Sequence, residues 1–277
     1  MQFPRPSQTS THPLASELVR PGARLDKGTK LVVAESRAGW SVSVFPECGE
    51  AVISFAASYQ AAEDGGVGAY GDSEANRLRA ERRARKMVRR YCTSNGIDRL
   101  VSLTFAPPFC TDPLELVEHR KRFIRRLRCA LGHRFPYVWV PELHDDGVKL
   151  HAHMGLNRFV KKEQMAEVWG HGFVDLRLIR ATGSKNPLDH RRRAAAYLSK
   201  YIGKAFDQPG TFGRHRYEVG EGFQPQCVQH TFDNEAEAKA WASTQMGGAT
   251  PSYVWHSTDV DDWQGPPVSV AYWDEIA

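Results

Sequence analysis

The chain has 277 residues, 41% of them apolar and 25% charged, enough to bury a core and unlike a disordered, collagenous or coiled-coil protein. Lys and Arg number 37 against 32 Asp and Glu, and the net charge of +5 by itself selects no partner. Cys48, Cys92, Cys110, Cys129 and Cys227 are odd in number and include no CxxC pair, which argues against a disulfide framework or a cysteine zinc site. Nor is there an apolar run behind Met1–Ser10 or a stretch of about eighteen apolar residues, so a cytoplasmic protein without membrane contact is expected.

Residues 1–72 are rich in Pro, Ser and Gly and read as a partly ordered arm, with short apolar alternations at Leu31–Ala34 and Val42–Phe45 that suit strands. Ser73–Cys92 contains good helix formers and no Pro or Gly, which predicts a long helix. Between Arg77 and Arg90 eight of its fourteen residues are basic, among them Arg82, Arg83, Arg85, Lys86, Arg89 and Arg90. Arg122, Arg125 and Arg126 belong to a second basic cluster about forty residues on. A solvated helix face would explain one such run. Two Arg-heavy runs point to a surface that faces phosphates.

From Asp98 the periodicity changes. Asp98–Phe105 predicts a strand that Pro107 and Pro108 end, and Thr111, Asp112 and Pro113 open a helix whose apolar spacing runs to Gly132. Pro136–His144 and Val148–Leu156 read as strands joined by an Asp145-Asp146-Gly147 turn. A short helix at Lys161–Trp169, a strand at Phe173–Ile179 and a helix from Pro187 to about Phe206 follow. The order βαββαβ predicts an α+β fold, a ferredoxin- or RRM-like antiparallel sheet with its first and third strands central and one appended helix. The expected division is an arm at 1–72, a catalytic domain at 73–225 and an aromatic, acidic tail at 226–277 containing Tyr253, Trp255, Trp263, Tyr272 and Trp273.

Two constellations carry chemistry. His151 and His153 are two apart on the third strand, so both imidazoles project from one face, with Glu142 and His144 across the hairpin as alternatives for a third ligand. Two His and a Glu suit a divalent ion such as Mn²⁺, Mg²⁺ or Co²⁺, although a partly buried histidine pair would have the same spacing. On the appended helix Tyr197 and Tyr201 are four apart, as are Lys200 and Lys204, so each pair shares a helix face. A phenol attacks only as the phenolate and needs a nearby cation, while two core tyrosines would show the same pattern.

Leu100–Phe105 (LVSLTF), Leu150–Met154 (LHAHM) and Tyr197–Lys204 (YLSKYIGK) together resemble the HUH superfamily of rolling-circle replication initiators, in particular the two-tyrosine branch that includes phage gene A proteins. Gly213–Gln226 is similar to a stretch of actinobacterial plasmid and phage initiators. The resemblance implies a metal-dependent DNA endonuclease and strand transferase, with Mg²⁺ or Mn²⁺ held by His151, His153 and Glu142 and with Tyr197 and Tyr201 as nucleophiles helped by Lys200 and Lys204. It further implies single-stranded origin DNA as substrate and a host helicase and DNA polymerase as partners, because no GxxxxGK[ST] motor loop is present. A two-tyrosine transposase shares this chemistry. A conjugative relaxase would carry a third histidine and an N-terminal tyrosine, and a non-catalytic RRM-like nucleic-acid binder is the alternative of another class.

Overall fold

A computed structural model describes residues 38–56, 73–180, 183–207, 216–263 and 265–274. The strand expected at Leu31–Ala34 lies outside them, whereas the one at Val42–Phe45 falls within β1 (Gly39–Phe45). In chain order follow β2 (Glu50–Ala56), α1 (Ser73–Ser94), β3 (Arg99–Phe105), α2 (Pro113–Leu131), β4 (Tyr137–Leu143), β5 (Leu150–Leu156), α3 (Lys162–Trp169), β6 (Gly172–Leu178) and α4 (Pro187–Asp207). The chain continues with β7 (Glu218–Val219), β8 (Val228–Phe232), α5 (Glu235–Gln245), β9 (Tyr253–His256) and β10 (Val268–Tyr272).

The fold is α+β. The central sheet is antiparallel with strand order β6-β3-β5-β4-β7, so β3 and β5 are interior strands, as the βαββαβ order predicts. Local signals set its helix ends: Asp112 Oδ1 accepts a 2.9 Å bond from the Leu114 amide to cap α2, and Gly132 ends that helix with a φ of 75°.

Alternation along the strands divides the buried side chains in two. Leu103, Phe105, Trp139, Ala152, Met154 and Leu156 pack beneath α2 and α3 with Phe123, Leu127, Met165 and Trp169. On the opposite face Leu100, Val138 and Val140 meet Val88, Tyr91 and Cys92 of α1 and Ala195, Leu198 and Ile202 of α4. Burying each large aliphatic side chain contributes roughly 1.5–3 kcal/mol, so this face holds the tyrosine-bearing helix firmly. Gly155 permits the close approach, since a Cβ there would lie 2.9 Å from both Ile97 Cγ2 and Leu198 Cδ1.

The segments expected as an arm and a tail meet in a second antiparallel sheet, ordered β8-β1-β2-β10-β9. Helix α5 covers one of its faces, burying Ala238, Ala242 and Met246 on Val42, Val44, Ile53 and Trp273. Trp273 thus belongs to a core, whereas Tyr253 and Trp263 stay exposed. Arg192 of α4 fastens the tyrosine-bearing helix to this sheet by donating to the carbonyls of Cys48, Gly49 and Trp273 at 3.1, 3.0 and 2.6 Å.

Candidate active site

The register of three strands assembles one cluster. Glu142 of β4 lies directly opposite His151 of β5, and Ser102 of β3 opposite His153, so all four side chains share the face on which α4 packs. His153 Nε2 lies 2.7 Å from Glu142 Oε2 and 3.1 Å from His151 Nε2, and His151 Nε2 lies 3.2 Å from the same carboxylate oxygen. Three donor atoms on one face of a magnesium-like octahedron, with bonds near 2.1 Å, would be about 3.0 Å apart. Two imidazole nitrogens and a carboxylate oxygen converging at these distances hold too few protons to hydrogen-bond in every direction, and Nδ1 of His151 is buried without a partner. Such a donor set fits a divalent ion.

The surroundings prepare the ligands. Ser102 Oγ sits 3.1 Å from His153 Nδ1, which fixes the ring and leaves Nε2 directed at Glu142. Burial, aided by the charge of His151, holds the His153 pKa below its usual value, so the ring is neutral as metal ligation requires. Burial opposes ionisation of Glu142, yet the bonds from His151, His153 and Lys204 keep its carboxyl well below the ordinary carboxylate range. Glu142, and not His144, completes the group, because His144 lies farther along and places its ring against His151 with centroids 4.3 Å apart.

Helix α4 brings the phenols over this cluster. The Tyr201 ring stacks on His153 with centroids 3.9 Å apart, and Tyr197, one turn earlier, lies 5.9 Å from Tyr201. Burial and the hydrogen bond with Tyr197 push the Tyr201 hydroxyl pKa well up. Lys204 Nζ donates to Glu142 Oε1 at 2.9 Å, while Lys200 lies over the Tyr197 ring at 5.5 Å, so the two lysines do different things.

The expected DNA-facing cations separate. Arg82, Arg83, Arg85 and Arg89 are exposed on α1, and Lys86 is half-buried beside them. Arg90 turns inward, pairing with Glu50 at 2.5 Å over the Phe45 ring, which removes it from the phosphate-facing surface expected of it and makes it a tie between α1 and the second sheet. Arg122, Arg125 and Arg126 are exposed on α2, the helix covering the opposite face of the central sheet. Three residues that the motifs did not mark share the site's face: Ser102, Arg177 and Phe173. Arg177 of β6 is near enough for its charge to act on both phenols. Phe173 continues the row His151–Thr104–Phe173 across three strands. The alternation FVDLRLI, with Val174 and Leu176 facing the core, was the available signal for both.

Residues 98–206, from just before β3 to the last turn of α4, match a family described as Replication-associated protein, of the ORF2 type. That stretch is similar to replication-associated proteins. It contains the histidine strand, Glu142 and both tyrosines. No curated protein and no solved structure matches the chain. Among the described residues no helix is long and apolar enough to cross a membrane.

Proposed function

We propose that this protein initiates rolling-circle replication of a phage or plasmid by nicking and rejoining single-stranded origin DNA through a 5′-phosphotyrosine. The observation that carries this reading is the stack of Tyr201 on His153, which sets a nucleophile beside a three-donor metal cluster. A divalent ion, Mg²⁺ or Mn²⁺, held by Glu142, His151 and His153 would polarise the scissile phosphate and offset its charge. The remaining work belongs to the chain. Tyr201 or Tyr197 attacks phosphorus as its proton passes to solvent. The P–O3′ bond breaks, the 3′ oxygen takes a proton, and the 5′ phosphate stays esterified to the phenol. Lys204 and Arg177 supply positive charge beside the phenols and the incoming phosphate. The second phenol can cleave again while the first is esterified, and the free 3′-OH primes a host polymerase, with a host helicase opening the duplex.

Incubation with Mn²⁺ and supercoiled plasmid carrying the origin should yield nicked circles with protein on the 5′ end. The Tyr197→Phe/Tyr201→Phe variant should yield none. Equal inertness of the two proteins would remove the enzymatic reading.

A further inference from the structure

A second group of ligating side chains lies on the other face of the central sheet, away from the tyrosines. Cys110 Sγ, a carboxylate oxygen of Glu115 and a ring nitrogen of His119 are within 4.8 Å of one another. Cys110 closes the connection from β3 to α2, and Glu115 and His119 are one helical turn apart on α2, which brings both to the same side. Cys110 and His119 are 2% and 8% exposed, while Glu115 reaches in from solvent and leaves an entry path.

His119 is held at both nitrogens. Its Nε2 lies 3.1 Å from Glu115 Oε1, and its Nδ1 lies 3.0 Å from Nε2 of His171, the residue before β6. Burial, with His119, Arg122 and Arg126 nearby, keeps the His171 pKa low, so its neutral ring can accept the Nδ1–H of His119. That tautomer leaves the Nε2 lone pair of His119 facing a carboxylate oxygen. The Cys110 thiol has only a long 3.5 Å contact to the Asp112 carbonyl.

We propose that Cys110, Glu115 and His119 bind a zinc ion, with His171 fixing the His119 ring from behind. Sulfur, nitrogen and oxygen donors suit zinc, and tetrahedral bonds of about 2.0–2.3 Å separate such donors by about 3.3–3.8 Å, close to the present arrangement. The thiolate and carboxylate balance the two charges of the ion, and the thiol proton leaves to solvent on binding. A thiolate ligand separates this site from the Glu142 cluster, whose nitrogen and oxygen donors suit a harder ion. Cysteine spacing carries no zinc signature here because only one thiol takes part. The Cys110 carbonyl accepts a 2.9 Å bond from the amide of Leu150, the neighbour of His151, so the ion would anchor the loop on which the histidine strand begins.

The test uses the full chain carrying His151→Ala and His153→Ala, which disables the other cluster, titrated with Co²⁺ as a visible substitute for zinc. One equivalent should bind with strong tetrahedral absorption and a thiolate-to-cobalt charge-transfer band, both abolished when Zn²⁺ displaces it. Adding Cys110→Ser should remove that band, and Glu115→Gln, at an exposed side chain, should keep it while lowering Zn²⁺ affinity about tenfold to a hundredfold. Absence of the band in the parent, its persistence in Cys110→Ser, or unchanged affinity in Glu115→Gln would each overturn the proposal.

Discussion

Nζ of Lys204, on the tyrosine-bearing helix, donates a 2.9 Å hydrogen bond to Oε1 of Glu142, on the strand beneath it. The other oxygen of that carboxylate faces His151 and His153, so one side chain joins the metal cluster to the helix that carries the phenols. Because the Lys204 side chain is 61% exposed, the pair contributes little to folding, about 0.5 kcal/mol. Its charge nevertheless sits where a phosphate would enter. Lys204→Ala should therefore leave the urea midpoint almost unchanged and lower the single-turnover cleavage rate about 100-fold. Lys204→Arg should recover part of the loss.

Ser102→Ala removes the bond that fixes the His153 ring without touching a ligand. Metal affinity, followed by calorimetric Mn²⁺ titration, should fall about tenfold to a hundredfold. Binding of a single-stranded oligonucleotide in EDTA should not change, and a parallel loss there would mean that Ser102 supports the fold instead.

Gly155→Ala places a methyl 2.9 Å from Leu198, on the helix that holds Tyr197 and Tyr201. Overpacking of this kind costs about 1–3 kcal/mol, and relief requires α4 to move outwards. Urea unfolding should show that loss, and cleavage should fall further than stability alone explains, since the phenols ride on the displaced helix.

The two arginine clusters cover opposite faces of the central sheet and should differ in their effect on DNA. Replacing Arg82, Arg83 and Arg89 by Gln should flatten the dependence of log K on log salt by about 2 for a single-stranded oligonucleotide, at about 0.7 per phosphate lost. The same change at Arg122, Arg125 and Arg126 should flatten it less. The reverse order would place the strand over α2.

Phe173 is 71% exposed and in line with His151 and Thr104. An exposed aromatic ring on the site's face suits stacking on a base, worth about 1–3 kcal/mol. Phe173→Ala should weaken oligonucleotide binding accordingly, as read by fluorescence anisotropy, and Phe173→Trp should keep it.

The central sheet was legible because its signals are local. Alternation marked β3, β5 and β6, Asp112 and Gly132 bounded α2, and the Asp145-Asp146-Gly147 turn set β4 against β5. The second sheet was not. Its strand β1 pairs with β8, and β2 with β10, across more than 180 residues, and no periodicity within a short window reports a partner so distant. Arg90 shows the same limit at a single side chain: its position on a basic helix face is the same whether it meets DNA or Glu50.

By itself the sequence determined which side chains could share a face, because the periods of strand and helix are fixed by backbone geometry: His151 with His153, Tyr197 with Tyr201, Lys200 with Lys204. Only the tertiary structure decided which of them meet. Antiparallel register put Glu142, not His144, beside the histidines, and packing at Gly155 set the depth at which Tyr201 reaches His153 and Lys204 reaches Glu142. Those contacts depend on distances between elements, set by the fit of side chains remote in sequence, and they turn two short motifs into one site.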